Sequence, residues 1–418
     1  MSPRTGRFQR LGPASIRRPI ARLALEARWH WLSTGVARPL PASAIQPGPL
    51  VVSAFYNEVL GVGRAGRLTA GWLENVGLPV VRHDLRPGLV HQLHGGLPFP
   101  VKENGGVWLI HGNPPEAKSA MLAHKSDGWR RRYRIGYWAW ETSEAPADWA
   151  ETVPYFHEVW VPSTFVAEAL KCALHNRQRP SSGALIRVVP HALPDLSGLK
   201  ADRARFGIRD DEVATLSAVD LRSTAARKNP WGSVEAWSLA FPRPQAGRRL
   251  ILKLIGGTAD RDALARLHAA AASRPDITLM DTHLSDGEMG GLVASVDIVL
   301  SPHRAEGFGL VLAEAMALGK AVVATGYSGN MDFMDANSAA LVPYTLRTAD
   351  DPSGRYRGVW AEPDLQRCAE LLKVLVEDPS RRRALGVAAQ RRIADLGKAW
   401  SASTLAEQSW VSFVAPCS

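Results

Sequence analysis

"DIVLSPHRAEGFGLVLAEAMALGKAVVAT", residues 297–325, reads as strand, loop, helix and strand. The apolar run 298–300 is short enough for a buried strand, Gly307 and Gly309 break it, and 310–318 is apolar with helix formers throughout. A strand that returns beside its predecessor through a helix is the unit of an open parallel sheet, and such sheets bind ligands at the carboxyl ends of their strands. Here that end is residues 301–308. Glu306 lies in the loop and Glu314 about a turn and a half into the helix. Phe308, Leu310, Leu312, Ala313, Ala315, Met316 and Leu318 surround the two acids, and a carboxylate among apolar groups is costly unless it binds something. Gly307 and Gly309 let the backbone approach a ligand, and the free N–H groups at the helix start favour a phosphate or hydroxyl oxygen.

The same rhythm runs outward in both directions. "PLVVSAF" reads as the first strand, "GVG" at 61–63 as a tight turn, "RAGRLTAGWLENVG" as a helix and "LPVVRHDL" as the next strand. "GGVWLIHGN", "RIGYWAWE" and "HEVWVPS" are further strands. A polar, proline-bearing stretch at 192–212 is the linker, after which strand and helix alternate again from "VATLSAVDL" to "AVVAT". The expected fold class is therefore α/β, with two successive parallel-sheet domains of similar size. The boundaries are 1–45 for a basic arm, 46–195 and 196–395 for the two domains, and 396–418 for a C-terminal helix crossing back to the first.

At 418 residues the chain exceeds one ordinary core, and no apolar run approaches the roughly 20 residues of a membrane-spanning helix. Cys172, Cys368 and Cys417 have no zinc-type spacing and read as reduced thiols, which places the protein in the cytoplasm. Net charge is +10, but residues 1–40 hold eight arginines and one acid, Glu26, so the body is nearly neutral. That argues against a nucleic-acid-binding face. Residues 19–32 form a candidate helix with Ile20, Leu23, Ala27 and Trp31 as an apolar stripe that Leu25 and Trp29 blur. It can lie on an anionic membrane surface, pack on the body or be disordered.

Four blocks then carry a resemblance: "GYWAWE" (136–141), "HEVWVPSTFVAEAL" (157–170), "RKNPWGSVEAW" (227–237) and "TGYSGNMDF" (325–333). With Glu306, seven residues and Glu314, they resemble the retaining glycosyltransferases of family 4, in a bacterial polysaccharide-assembly branch. The resemblance implies the GT-B architecture, two Rossmann-like domains facing across a cleft. It implies transfer of a sugar from a nucleotide diphosphate sugar to a hydroxyl of a glycan or lipid-linked acceptor, with retention, no metal and no cofactor. Glu306, Lys228 and His111 are the catalytic set it implies. Glu314 would hold the nucleotide ribose. Gly307, Phe308 and Gly309 would present N–H groups, and His303, Ser328, Gly329 and Asn330 would line the donor pocket. The family arginine five residues before the lysine is Ser223 here, so Arg222 or Arg227 is left to meet the diphosphate. Gly61, Gly63 and Arg64 correspond to the acceptor-side glycine loop.

Alternatives stay open at this level. Residues 61–66 also match G-x-G-x-x-G, a weak dinucleotide signal when alone. The run Tyr137, Trp138, Trp140 and Glu141 suits either a sugar-stacking wall or a domain core. A GT-B phosphorylase and a catalytically silent scaffold are the competing functions.

Overall fold

The computed structural model describes residues 14–35, 37–58, 61–91, 96–176, 184–351 and 354–416. The first lobe carries strands β1 (Leu50–Ala54), β2 (Val80–Asp84), β3 (Val107–His111), β4 (Tyr133–Tyr137), β5 (Glu158–Val161) and β6 (Leu185–Val188). They form one parallel sheet in the order β2-β1-β3-β4-β5-β6. Helices α2 (Gly61–Asn75), α3 (Arg86–His91), α4 (Pro114–Ala123) and α5 (Thr164–Asn176) make the crossovers. Each of β1, β3 and β4 is buried along its length, as strands covered on both faces must be.

The second lobe repeats the plan with β7 (Val213–Asp220), β8 (Arg248–Ile255), β9 (Ile277–Met280), β10 (Ile298–Ser301), β11 (Ala321–Thr325) and β12 (Ala340–Val342), ordered β12-β11-β10-β7-β8-β9. Its helices are α6 (Ala225–Lys228), α7 (Pro230–Ala240), α8 (Arg261–Ala272), α9 (Asp286–Ser295), α10 (Leu310–Ala317), α11 (Leu365–Glu377) and α12 (Pro379–Gly397). Between β12 and α11 the chain makes an antiparallel hairpin, β13 (Tyr344–Thr348) and β14 (Val359–Pro363), which the sequence pattern does not announce.

Three expectations change. Residues 61–63 are the first turn of α2 rather than a turn preceding it, so its unpaired N–H groups point out at the strand's carboxyl end. The C-terminal segment is not one helix. It is a 3₁₀ turn (Lys398–Trp400), a short α13 (Ala402–Ala406) and a second 3₁₀ turn (Ser409–Phe413), whose Trp400, Leu405 and Trp410 bury against Trp160 and the first sheet. Gly48 and Val414 form a parallel bridge there, which fixes the tail on the first lobe. The arm helix α1 spans Ala14–Ser33, so Pro19 falls in its second turn. Its packing face is Leu25 and Trp29, the two residues that blur the stripe, together with Leu32, and Trp29 stands edge-on to Tyr155 at 5.0 Å. Leu23 and Trp31, from the expected stripe, are 64% and 65% exposed. Residues 1–13, and with them three of the arm's arginines, lie outside the described residues.

The aromatic run resolves toward core: Tyr137, Trp138 and Trp140 are all at most 5% exposed. Trp138 meets Trp149 and Phe156 edge-on, a geometry that favours aromatic pairs beyond their buried area. Among the described residues no helix is long and apolar enough to cross a membrane.

Candidate active site between the lobes

The loop from Ser301 to α10 sits where the two lobes meet, at the carboxyl end of β10. Glu306 is held there by three interactions. Its N–H donates to Ser328 Oγ at 2.8 Å, its carbonyl accepts from Gly329 N–H at 2.9 Å, and its carboxylate meets Lys228 Nζ at 2.5 Å. Arg227 backs the same carboxylate, Nη1 to Oε2 at 3.5 Å. Burial acts to raise the Glu306 pKa, but Lys228 and Arg227 outweigh it and hold the group down to about 2. It is a fixed anion at neutral pH.

Eight residues on, Glu314 has the opposite environment. Its side chain is fully buried, and Arg64 of the first lobe approaches Oε1 at 2.9 Å. That pair reaches Oε1 alone, and Oε2 has no hydrogen-bond donor among the described residues. Burial therefore dominates, and with Arg64 only partly opposing it the pKa rises to about 7. Asp286 completes this second cluster, pairing with Arg67 at 2.8 Å and standing 3.6 Å from Arg64. The two acids thus have separate partners: Glu306 faces cations of its own lobe, and Glu314 faces a cation from across the cleft.

His111, at the end of β3, is 2% exposed, and neither ring nitrogen has a partner among the described residues. It stacks near Tyr137 at 4.3 Å and His191 at 5.9 Å, and His191 in turn stands edge-on to Phe308 of the loop at 5.2 Å. Burial first, then His191, push the His111 pKa well below its ordinary value, so the ring is neutral. A buried neutral imidazole with two idle nitrogens is a costly arrangement without a hydrogen-bonding ligand.

The side chains of several predicted donor-site residues are spent on the fold. Gly307 is not open to a ligand on its side-chain face, because a Cβ there would lie 2.5 Å from the Trp140 carbonyl oxygen. Its absence lets the first lobe press directly onto the loop, and Ser163 Oγ donates to the Gly307 carbonyl at 2.7 Å. Phe308 is 3% exposed and packs on Phe333 in the second lobe's core. Gly309, with φ of +97°, makes the left-handed step into α10. His303 is fully buried and spends its nitrogens on Ser301, Tyr327 and Asn330. Asn330 is equally occupied, donating to the Thr325 carbonyl at 3.0 Å. Together with Ser328 and Gly329 they brace the loop that carries Glu306 rather than face a donor with their side chains.

The question of the arginine divides the two candidates. Arg227 is 1% exposed and donates to the Ala305 carbonyl at 2.6 Å and to Ser223 Oγ at 2.6 Å. Burial acts to lower its pKa, and Glu141 and Glu306 more than offset that, so it is a permanent buried cation behind Glu306. Arg222 is a third exposed and paired with Asp220 at 2.7 Å, which leaves it the better placed of the two to meet a ligand. On the first lobe Gly61 opens α2 with space beside it, whereas a Cβ on Gly63 would strike the Phe55 and Glu58 carbonyls at 2.7 Å. Gly63 closes its own turn. Sequence reasoning missed Asp286, though the Ser285-x-x-Glu288 capping box marks a helix start after β9 and so a position at the cleft. Among the described residues no three metal-ligating side chains gather.

Residues 226–350 match the family model described as glycosyl transferases group 1. A D-inositol 3-phosphate glycosyltransferase of Kineococcus radiotolerans is 30% identical over 225 residues, 49% of this chain and 45% of the relative. The chain spans less than half the length of the curated relatives it matches. In three dimensions it is similar to Anabaena HepE in complex with UDP and glucose, with TM-score 0.57, 14% identity, and coverage of 87% of this chain and 100% of the other. A trehalose-6-phosphate synthase, described in work on glycosyl transfer with retention, superposes with TM-score 0.60 at 13% identity over 84% of this chain and 97% of its own. At such identities the likeness shows the fold alone.

Proposed function

We propose that this chain, which has the two-lobed GT-B fold, is a retaining and metal-independent glycosyltransferase. It would move a sugar from a nucleotide diphosphate sugar to a hydroxyl of a glycan or lipid-linked acceptor, in assembly of a bacterial surface polysaccharide. One observation carries the reading: a fixed anion–cation pair, Glu306 and Lys228, in an interlobe loop, and a buried carboxylate, Glu314, in the helix that follows it, met among the described residues by Arg64 of the opposite lobe.

The chemistry follows from these groups. The anomeric carbon–oxygen bond to the diphosphate breaks, the acceptor oxygen bonds to that carbon, and the acceptor's proton passes to the departing diphosphate on the same face. Negative charge grows on the diphosphate, so preorganised cations stabilise the transition state more than the ground state. Lys228, Arg222 and Arg64 are the cations near the cleft, and no resident metal is needed to balance the charge. Glu314 accepts from the ribose hydroxyls, which take the place of Arg64 as its partners. Glu306 orients Lys228 and meets the sugar hydroxyls, while neutral His111 offers a hydrogen bond to the sugar.

Calorimetric titration with UDP, GDP and ADP tests the reading directly. Micromolar to sub-millimolar binding of at least one is expected, and no binding of any at millimolar concentration would exclude it. It also separates a transferase from the phosphorylase alternative, whose turnover would require inorganic phosphate.

The Glu314 pKa adds a pH signature. Ribose hydroxyls need the ionised carboxylate, so binding should tighten about tenfold from pH 6 to pH 8 and release a proton when a group near 7 is drawn down. Glu314→Gln should remove that slope while keeping the part due to phosphate ionisation. Equal slopes in both proteins would show that Glu314 is not the ribose acceptor.

The same reading includes peripheral attachment to an anionic membrane through α1. Leu23 and Trp31 stand exposed on a helix whose other face is packed, next to an arginine-rich segment. Flotation with vesicles containing about 30% anionic lipid should retain the wild type, and Trp31→Ser with Leu23→Ser should lower the bound fraction several-fold. Equal flotation with neutral vesicles would count against the charge-based account.

A further inference from the structure

We infer that the β13–β14 hairpin, with residues 354–358 leading into its second strand, forms a strap that ties the placement of the Glu306 loop to closure of the two lobes, with Tyr356 as its positioning residue. The inference rests on the functional reading above but stands on different observations. At its base the strap grips the loop: Arg304 makes a two-pronged ion pair with Glu362, at 2.8 and 2.7 Å, and the Arg304 carbonyl accepts from Ala361 N–H at 2.9 Å. Beyond the hairpin's tip it reaches the other lobe. Val359 N–H donates to Ser143 Oγ at 2.9 Å, and Arg357 bridges Glu144 as an antiparallel pair. Gly358, with φ of +80°, permits this approach, since a Cβ there would lie 2.5 Å from Ser143 Oγ.

Between those anchors Tyr356 is 4% exposed. Its ring packs on Trp140 of the first lobe at 5.2 Å and lies 5.6 Å from the Arg227 guanidinium. Arg227 touches both Glu141 of the first lobe and Glu306 of the second, at 3.7 and 3.5 Å. The strap therefore closes a ring in which each member fixes the next: Trp140, Tyr356, Arg227 and Glu306. A buried guanidinium against an aromatic face is a strong directional contact. If the lobes part, Tyr356 loses Trp140 and Arg227 loses Glu141, so the ring is no longer braced against the guanidinium. Glu306 then keeps Lys228, but the guanidinium behind it is no longer fixed. Tyr356 touches neither donor nor acceptor in this account; it acts through Arg227.

The test uses the full chain and three variants, with whichever of UDP, GDP or ADP binds the wild type most tightly. Tyr356→Ala should lower kcat about 100-fold, the scale of a misplacement near 1 Å, while the nucleotide Kd stays within about threefold. Tyr356→Phe keeps the ring and should stay within about threefold of wild type in both. Gly358→Ala, which touches no ligand, should push the tip off the first lobe and lower kcat in the same direction. Hydrogen exchange of amides 303–309 should quicken in Tyr356→Ala and Gly358→Ala and not in Tyr356→Phe. Unchanged kcat and unchanged exchange in the first two variants would overturn the strap. If no nucleotide binds the wild type, the functional reading falls, and the exchange pattern alone decides the strap.

Discussion

Replacing Glu306 with alanine should lower kcat by about 100- to 1,000-fold, with the Kd for the bound nucleoside diphosphate within about threefold of wild type. The asymmetry comes from what Glu306 touches. Its carboxylate meets Lys228 at 2.5 Å and stands 3.5 Å from Arg227, whereas Glu314 pairs with Arg64 of the first lobe. Without the acid, Lys228 has four rotatable bonds and no fixed partner, so its charge is no longer waiting where the diphosphate gains negative charge. Arg227 fares differently. It stays charged and 1% exposed, with Glu141 as its remaining carboxylate partner at 3.7 Å, so the alanine variant should also melt earlier. Glu306→Gln separates the two effects, because it preserves shape and a hydrogen bond to Lys228 is replaced by a weaker contact. Steady-state kinetics with melting curves on both variants check this. A wild-type kcat in Glu306→Ala would remove the acid from the chemistry.

Much of the architecture could be read because parallel strands buried on both faces leave continuous apolar runs, such as Val51–Val52 and Val322–Val323 between glycines, and those runs recur with helical stretches between them. Glu306 stands out for a related reason, an acid beside an apolar helix and strand that violates the local pattern, whereas Lys228 carries no such signal and enters only through the resemblance of "RKNP". What could not be read was direction. Nothing in the composition of "SPHRAEGFG" says that Gly307 is bare to admit the Trp140 carbonyl, or that His303 turns inward to Asn330 while Glu306 turns to the cleft. Arginine is the hardest case, since its long stem reaches water or core equally well; Arg222 and Arg227 differ in burial only because Ser223 and Ala305 supply acceptors to one of them. The α1 helix shows the same ambiguity. Leu23, Ala27 and Trp31 make the cleaner stripe, yet tertiary packing selected Leu25, Trp29 and Leu32. The strap left no periodic signal at all, because every residue of β13 is exposed and only its partner strand is half-buried.

Glu314→Ala should weaken nucleoside diphosphate binding about 10- to 100-fold, the equivalent of roughly 1.5 to 3 kcal/mol for charge-assisted hydrogen bonds to the ribose, with a smaller change in kcat at saturating donor. The same substitution should not destabilise the protein at pH 8. The folded-state pKa of Glu314 is raised to about 7 from an ordinary 4.5, so whatever the protonated group contributes is fully present below 4.5 and is lost as pH rises through 7. Above that pH the fold carries a buried carboxylate paired only with Arg64 among the described residues, and removing it relieves the cost of burying that charge against the loss of the pair and of packed volume. Melting curves at pH 5 and pH 8 should therefore show the variant less stable than wild type at the lower pH and equal or more stable at the higher. Weaker binding joined to undiminished stability is the mark of a residue kept for a ligand. Arg64 sharpens the reading, because it approaches Glu314 from the opposite lobe and must release it when ribose arrives. Arg64→Ala should thus strengthen any nucleotide binding that depends on Glu314 alone and weaken any that depends on the phosphates. Combining it with Glu314→Ala measures the coupling between them. Strictly additive effects would show that the ion pair and the nucleotide do not compete for the same carboxylate.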